Sequence, residues 1–367
     1  MKKLVIIGAN DFQNQLILKA KGLGYETHVF AWEDGAVGKN TADYFYPISI
    51  VEKEEILEKC KEIKPDGVCS IASDLAAITV NYVAENLGLP CNKFSTVKAQ
   101  TNKFSMRKKL FDHGVKCPFF CETDGSNLDE LKDTLPYPVI VKPTDRSGSR
   151  SICKVESAET LEQAVKNACE SSFENGAIIE EYINGNEYSC ECITQNGVHH
   201  FLTFTKKYTT GSPAFIETGH RQPSDIPESM QAKIRDEIFK ALDALEVKNS
   251  ASHTEFRIDG DDFNIIEIGA RMGGDCIGSD LVYLSTGYDF VKMVIDVAVG
   301  NEIDLSQAKH HNVAKIKFIF DKKDYDEMLE FKNKYPEKIY RISDIDTEAF
   351  GNATDSSSRA GYYIVTE

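Results

Sequence analysis

Short apolar runs broken by glycine and proline dominate the opening part of the chain. Leu4–Ile7 is apolar and stops at Gly8-Ala9-Asn10, and a helical spacing of apolar residues follows from Gln13 to Gly22. Thr27–Ala31 then reads as a second strand. Strand, glycine turn, helix and strand make a βαβ unit, which implies a parallel sheet. Val68–Ile71 supplies a third strand, after Lys64-Pro65-Asp66-Gly67. A helix from about Leu75 to Leu87 leads to Gly88-Leu89-Pro90. Residues 1–93 are therefore expected to form a small Rossmann-like domain. Gly8 is the only glycine of the first turn, so the dinucleotide fingerprint GxGxxG is absent and Gly8 reads as a packing position.

A helix is expected from about Val97 to His113, with Lys103, Arg107, Lys108 and Lys109 along it. Such a basic run, taken alone, is the pattern of a solvated face. The character changes after Pro118. Tyr137–Pro143 is a strand running into a turn, Asp145–Ser151 is a loop of small residues, and Ile152–Val155 is the next strand. Thr160–Glu170 reads as a helix and Ala177–Ile183 as a strand. Glu187–Thr194 and Phe201–Thr205 read as further strands and Ser229–Leu245 as a helix. Ser252–Ile258 and Phe263–Ile268 flank Asp259-Gly260-Asp261-Asp262, a hairpin signal. A helix runs from about Tyr288 to Val299, and residues 301–367 mix short strands with a helix near Lys322–Tyr335.

The length, 367 residues, suggests two or three domains at roughly 100–200 residues each. With 41% hydrophobic and 27% charged residues, disorder and collagen-like structure are excluded. The net charge of −16 and the lack of a basic stripe disfavour nucleic acid and anionic membranes as partners. An anionic small ligand would need a local cluster of Lys and Arg. Ten cysteines without a CxxC pair read as reduced thiols rather than a disulfide framework or a zinc site. Met1-Lys2-Lys3 and the apolar run after it imitate a signal peptide, but Asn10 and Asp11 end the run early. No stretch approaches the roughly 18–20 apolar residues of a membrane span. A soluble cytoplasmic protein is expected.

Three places carry candidate chemistry. Glu255 and Glu267 lie on partner strands of the hairpin, each a few residues from its turn, so their carboxylates are expected to face each other. Two facing carboxylates repel unless a cation lies between them, and Mg²⁺ takes such hard oxygen ligands together with phosphates. Glu267 also sits inside the apolar run Ile265-Ile266-Glu267-Ile268, where a charge needs a partner. Lys142 ends an apolar strand, a point charge at a sheet edge, and the Ser147-Gly148-Ser149 loop beside it can turn backbone N–H groups to a phosphate. No Walker A sequence is present. The strand Ile178–Ile183 turns at Gly185 and presents Glu187, with acids suited to an adenine amino group or ribose hydroxyls.

Lys103, then Lys142 with its loop, then Glu180–Glu187, then Glu255, Glu267 and Arg271 form an ordered set. The set resembles the ATP-grasp superfamily of carboxylate–amine ligases, over most of the chain. It is most similar to the group with amino-acid ligases, phosphoribosylglycinamide synthetase-like and carbamoyl phosphate synthetase-like proteins. The resemblance implies an α/β and α+β multidomain fold. A Rossmann-like domain (1–93) would precede an ATP-grasp domain (94–300, lid about 115–187) of two α+β subdomains clasping ATP, with a small C-terminal extension (301–367). It also implies that Lys103 and Lys142 hold ATP phosphates and that Ser147–Ser151, with Ser147, Gly148 and Ser149 at its tip, is the mobile loop over them. Glu180 would meet the adenine amino group, the backbone at Glu181 and Ile183 the base edge, and Glu187 the ribose. Glu255 and Glu267 would bind Mg²⁺ or Mn²⁺, and Arg271 would lie beside the transferred phosphate. Many members have Glu-x-Asn-x-Arg where this chain has Glu267-Ile268-Gly269-Ala270-Arg271, so one metal ligand is missing or replaced.

The implied activity is ADP-forming ligation through an acyl phosphate, with Lys142 and Arg271 catalytic and an amino acid or similar small acid as substrate. Small-molecule carboxylate and amine partners and a homodimer are expected. The alternatives are a phosphoribosylglycinamide synthetase-like or carbamoyl phosphate synthetase-like enzyme, and an ATP-binding regulatory protein without activity. For the substrate pocket, Arg221 can pair with a carboxylate and His220 can act as base or donor. Asp275, with Cys276, follows a Gly273-Gly274 turn and can line the same pocket; Lys206 and Lys207 are weaker candidates. His199-His200 and His310-His311 read as structural, because neighbours on a strand point apart. Trp32 reads as packing.

Overall fold

The computed structural model describes residues 1–306 and 312–367, so His310 and His311 lie outside the described residues. The N-terminal unit alternates strands and helices: β1 (Lys3–Ile7), α1 (Asp11–Gly22), β2 (Glu26–Phe30), β3 (Tyr44–Tyr46), α2 (Lys53–Ile63), β4 (Gly67–Cys69) and α3 (Asp74–Asn86). Its strands form a parallel sheet in the order β3-β2-β1-β4. The helix expected from Gln13 begins earlier, because Asn10 caps it. Its side chain accepts from the N–H of Phe12 and Gln13, and the Gln13 side chain accepts from the Asn10 N–H. Gly8 precedes this cap with φ of +100°, a left-handed conformation that glycine adopts without strain, and donates its N–H to Phe30 O.

The helix expected over 97–113 is two helices, α4 (Phe94–Thr101) and α5 (Lys103–Asp112). Asn102 between them is extended (φ −111°, ψ 121°) and caps α5 by accepting from the Ser105 N–H. A second sheet follows: β5 (Phe120–Thr123), the short α6 (Leu128–Leu131), β6 (Val139–Pro143), β7 (Cys153–Val155), α7 (Leu161–Ser171) and β8 (Ala177–Glu181). Its antiparallel order is β5-β8-β6-β7, with α7 packed on it through Leu161, Val165 and Ala168.

The third sheet is the largest. It holds β9 (Asn186–Gln195), β10 (Val198–Thr209) and β11 (Glu217–Gln222), then after α8 (Glu228–Ala244) the hairpin β12 (Ser250–Asp259) and β13 (Asp262–Gly269). After α9 (Val282–Thr286) and α10 (Phe290–Ala298) come β14 (Ala314–Ile319), α11 (Lys322–Lys334), β15 (Ile339–Ile342) and β16 (Gly361–Thr366). The order is β13-β12-β9-β10-β11-β14-β16-β15. Two features were not assigned from the sequence. Residues 217–222 are a strand, and the strands of 301–367 extend the central sheet, because β14 pairs with β11 from Gly219–Lys317 to Gln222–Ala314.

The two faces of β9 explain how this sheet carries a site. Tyr188, Cys190 and Cys192 point into the apolar core with α8, Phe204 and Phe256. Glu187, Ser189 and Glu191 alternate with them and share the opposite face with His253, Glu255 and Arg257 of β12. All ten cysteines are free. Among the described residues, no helix is long and apolar enough to cross a membrane.

Candidate active site

The β12–β13 register sets Glu255 directly opposite Glu267. Directly opposed residues of an antiparallel pair hold their Cβ atoms about 5 Å apart, so the expected facing of the two acids is met. A bulge follows, because Phe256 pairs with Ile265 and leaves Ile266 unpaired. The Ile265 and Ile266 carbonyls accept from Arg107 of α5 at 2.8 and 2.7 Å. Arg107 is fully buried, contrary to the solvated face expected for its helix; Lys103, one turn earlier on the same side, is buried too. Lys108 is exposed.

Both lysines expected to hold phosphates meet a carboxylate. Lys142 Nζ lies 2.6 Å from Glu180 Oε2, and Arg107 Nη2 lies 2.6 Å from Glu180 Oε1. Burial alone raises the Glu180 pKa, but the two cations outweigh it and hold the carboxyl at about 2. Glu180 is therefore a buried counter-ion first, a role that sequence reading did not foresee. Lys103 lies 3.1 Å from Glu267 and bonds the Arg146 carbonyl of the small-residue loop. Lys207 bonds Glu255 and lies 3.1 Å from Glu187 and 3.6 Å from Glu217. Burial lowers the Lys207 pKa, but these three carboxylates carry it well above its ordinary value. His253 joins Glu191 at 2.7 Å and Glu255 at 3.2 Å; burial opposes its charge, yet the two acids raise it to about 9.

These side chains line adjoining cavities. The first, of about 100 Å³, is lined by Ile140, Glu181, Tyr182, Ile183, Phe215 and Ile266 and also touched by Lys142, Glu180 and Glu187. The Ile183 carbonyl in it accepts from Arg257 Nη1 at 2.8 Å, and Glu187 lies 3.3 Å from Arg257. A second, of about 80 Å³, is lined by Lys103, Lys142, Ser147, Gly148, Ser149, Glu255, Glu267, Gly269 and Arg271. The loop carries three left-handed residues, Gly148, Ser149 and Ser151. A third, of about 390 Å³, opens between this loop, Arg271 and the Gly8–Asn10 turn of the N-terminal unit.

In the third cavity the sequence expectations divide. His220 and Asp275 line it, 3.5 Å apart. Arg221 lines none of the three cavities: neighbouring side chains of β11 point to opposite faces, and its guanidinium donates to Pro223 O at 2.9 Å. The arginine beside Asp275 is Arg359, paired to it at 2.9 and 2.6 Å, and with His220 it holds that carboxyl far below its usual range despite burial. Trp32 also lines this cavity and is 51% exposed, which corrects its reading as packing. Ser356 bonds Glu217, and Arg150 of the loop lies 3.6 Å from Asp355, so the C-terminal segment touches the loop. Arg271 is held by Asp74 of α3 at 2.9 and 3.2 Å. His199 is bonded to Thr194 at 2.8 Å and Asp243 at 3.3 Å.

Sequence reading passed over Arg107, Asp74, His253, Glu191 and Arg359 as site residues. Arg107 had a signal, its spacing of four from Lys103 on one helix. Arg359 ends the polar run Asp355-Ser356-Ser357-Ser358, just before an apolar strand, which by itself looks like an ordinary loop.

The ATP-grasp domain family matches residues 135–280. The chain is 24% identical over 266 residues to the formate-dependent phosphoribosylglycinamide formyltransferase of Prochlorococcus marinus, covering 66% of this chain and 63% of that protein. It is 26% identical over 306 residues to the alanine–anticapsin ligase of Bacillus subtilis, covering 73% of this chain and 64% of that protein. The chain thus spans slightly less than two thirds of the length of these curated relatives. Among solved structures, an L-amino acid ligase from Bacillus licheniformis aligns over 100% of this chain and 93% of its own, with a TM-score of 0.83 and 24% identity. That likeness is one of fold. Residues 135–280 thus match an ATP-grasp domain, across the loop, the hairpin and Arg271, and the chain shares the fold of that ligase over its whole length.

Proposed function

We propose that the chain is an ADP-forming carboxylate–amine ligase, acting through an acyl phosphate on an amino acid or similar small acid. One observation carries this reading: the in-register pair Glu255 and Glu267 lies between two buried lysines and opens, past Arg271, onto a cavity of about 390 Å³ lined by charged and apolar side chains. The apolar cleft at Ile140, Ile183, Phe215 and Ile266 suits an adenine ring, with the Glu181 and Ile183 backbone at its edge and Glu187 toward the ribose. Lys103, Lys142 and the Ser147-Gly148-Ser149 loop suit the phosphates.

The residues present fit magnesium. Glu255 and Glu267 are hard oxygen donors facing each other, now neutralised by Lys207 and Lys103. Among the described residues, no group of three or more His, Cys, Asp or Glu suits a metal. Phosphates and water complete the shell of an ion held by one or two carboxylates. Mg²⁺ there, or Mn²⁺, supplies charge neutralisation on the triphosphate.

In the first step a substrate carboxylate oxygen attacks the γ-phosphorus, the bond to the bridging oxygen breaks, and ADP leaves with the electron pair. Lys103, Lys142 and Arg271 meet the charge that develops on the phosphoryl oxygens. In the second step an amine nitrogen attacks the acyl carbon and the C–O bond to phosphate breaks. Phosphate leaves and takes up the amine proton. The loop, resting on Ser356 and Asp355, keeps water from the acyl phosphate.

The N-terminal wall of the third cavity, which includes Asn10, Gln13, Trp32 and Ser73, contributes no Lys or Arg, and Asp34 is its one charged residue. A phosphosugar would want cations there. Across the cavity, Glu217 and Asp275 stand beside Arg150, Arg271 and Arg359, both signs together, as a zwitterion requires. The test mixes the protein with ATP, Mg²⁺ and pools of amino acids and small carboxylates, then assays phosphate, ADP and AMP. Phosphate and ADP released only with certain amino-acid pools is the expected result. AMP with pyrophosphate would overturn the acyl-phosphate route. ATP binding without turnover on any pool would move the reading to a phosphosugar amine or to a regulatory role.

A further inference from the structure

The third cavity has two unlike ends. Toward the loop it is lined by several charged side chains; toward the N-terminal unit Phe12, Trp32, Ala36, Ile50 and Leu75 line it together with the polar Asn10, Gln13 and Ser73 and a single charge, Asp34. Trp32 stands just beyond the carboxyl end of β2, where parallel sheets collect ligands. Its neighbour Ala31 is buried in the core, while Trp32 is 51% exposed and, among the described residues, joins none of the apolar clusters and stacks on no other ring. Ile50, by contrast, is buried, and Leu75 and Phe12 are half-buried. A single exposed apolar side chain is ordinary. A half-exposed indole on a cavity wall that also carries Phe12, Ile50 and Leu75 is a surface that gains from being covered. No cation on that wall invites an anion.

Resting on the ligase reading above, we propose that this wall is a side-chain subsite. One of the two joined substrates is then an amino acid with a bulky aliphatic or aromatic side chain, which lies against Trp32 while its charged groups face Asp275, Arg359 and Arg271. Extra methylenes in such a pocket raise kcat/KM by about ten- to two-hundredfold each at most, so leucine and phenylalanine should exceed glycine by at least about tenfold.

Trp32 is the only tryptophan of the chain, so its emission reports this subsite alone. The full-length protein, loaded with ADP and Mg²⁺, is titrated with phenylalanine, leucine, alanine and glycine. The expected result is a saturable change of emission with phenylalanine and leucine at concentrations where glycine gives none. In parallel, phosphate release is measured for the same amino acids with wild type and Trp32→Ala, whose fold is kept because the ring is half in solvent. The preference for large over small side chains should shrink by about tenfold or more. An unchanged preference in Trp32→Ala, or turnover on small or polar amino acids with no response of the indole to apolar ones, overturns the subsite and leaves the ligase reading standing. A saturable response to phenylalanine or leucine without ATP turnover on any pair supports the subsite and sinks the ligase reading.

Discussion

Arg107 Nε and Nη2 lie 2.7 and 2.6 Å from the same oxygen of Glu180, while Lys142 holds the other oxygen at 2.6 Å. One buried carboxylate thus joins helix α5 to strands β6 and β8, and the same guanidinium ties down the bulge at Ile266, just before Glu267. Replacing Arg107 by Met leaves Glu180 with Lys142 and takes away the donor that the Ile265 and Ile266 carbonyls share. Breaking a buried pair costs roughly 3–5 kcal/mol. Urea unfolding should show that loss, and a midpoint equal to wild type would remove Arg107 from the centre of this account.

The same carboxylate sets an acid limit. Its ordinary pKa is 4.5 and the fold holds it at about 2. A group whose folded pKa is depressed stabilises above its unfolded pKa and loses that contribution as pH falls through the folded one. The window is therefore from about pH 4.5 down to about pH 2, and the contribution is roughly 3 kcal/mol. Denaturant titrations across that window should show wild type losing stability more steeply than Glu180→Gln, which has no such proton to take up.

Glu267→Gln keeps the shape of the hairpin and removes one hard oxygen donor facing Glu255. ATP turnover should fall by at least about a hundredfold, the scale of removing one preorganised charge-stabilising group. The Mg²⁺ concentration needed for half-maximal rate should rise. Normal turnover in the variant would mean that the metal is held elsewhere.

Gly269 stands where many members have Asn. A Cβ placed there meets the Arg271 guanidinium carbon at 3.1 Å and Asp74 Oδ1 at 3.2 Å. Gly269→Asn therefore displaces the flexible end of Arg271 rather than the backbone, and disturbs its pair with Asp74. The variant is expected to fold, with a circular dichroism spectrum like wild type, and to lose kcat by about tenfold or more, since Arg271 leaves the developing charge. Full activity would show that Arg271 need not stay where Asp74 holds it.

Arg359→Gln leaves Asp275 without its bidentate partner inside the third cavity. Truncating one member of a buried charged pair costs roughly 2–5 kcal/mol, much of it from the charge left behind. The amino-acid KM should rise by about tenfold or more while the KM for ATP changes little, because Arg359 lines the third cavity and neither of the other two. A matching rise in both constants would assign Arg359 to general stability.

What the sequence determined by itself was local and periodic. The βαβ opening, the hairpin at Asp259-Gly260-Asp261-Asp262 and the facing of Glu255 and Glu267 follow from strand alternation and turn chemistry, which act within a few residues. The order of Lys103, Lys142, Glu187, Glu255, Glu267 and Arg271 was likewise legible along the chain. Tertiary structure decided what no spacing encodes. Whether Arg107 is solvated or buried depends on Glu180, 73 residues away, and on a bulge whose carbonyls turn toward α5. Whether Arg221 or Arg359 reaches Asp275 depends on which face of β11 looks into the cavity and on β14–β16 joining the same sheet. Trp32 has the composition of a core residue, yet the sheet edge leaves it in a cavity. Charged and amphipathic side chains take their roles from the partners that packing brings to them, and those partners come from distant parts of the chain.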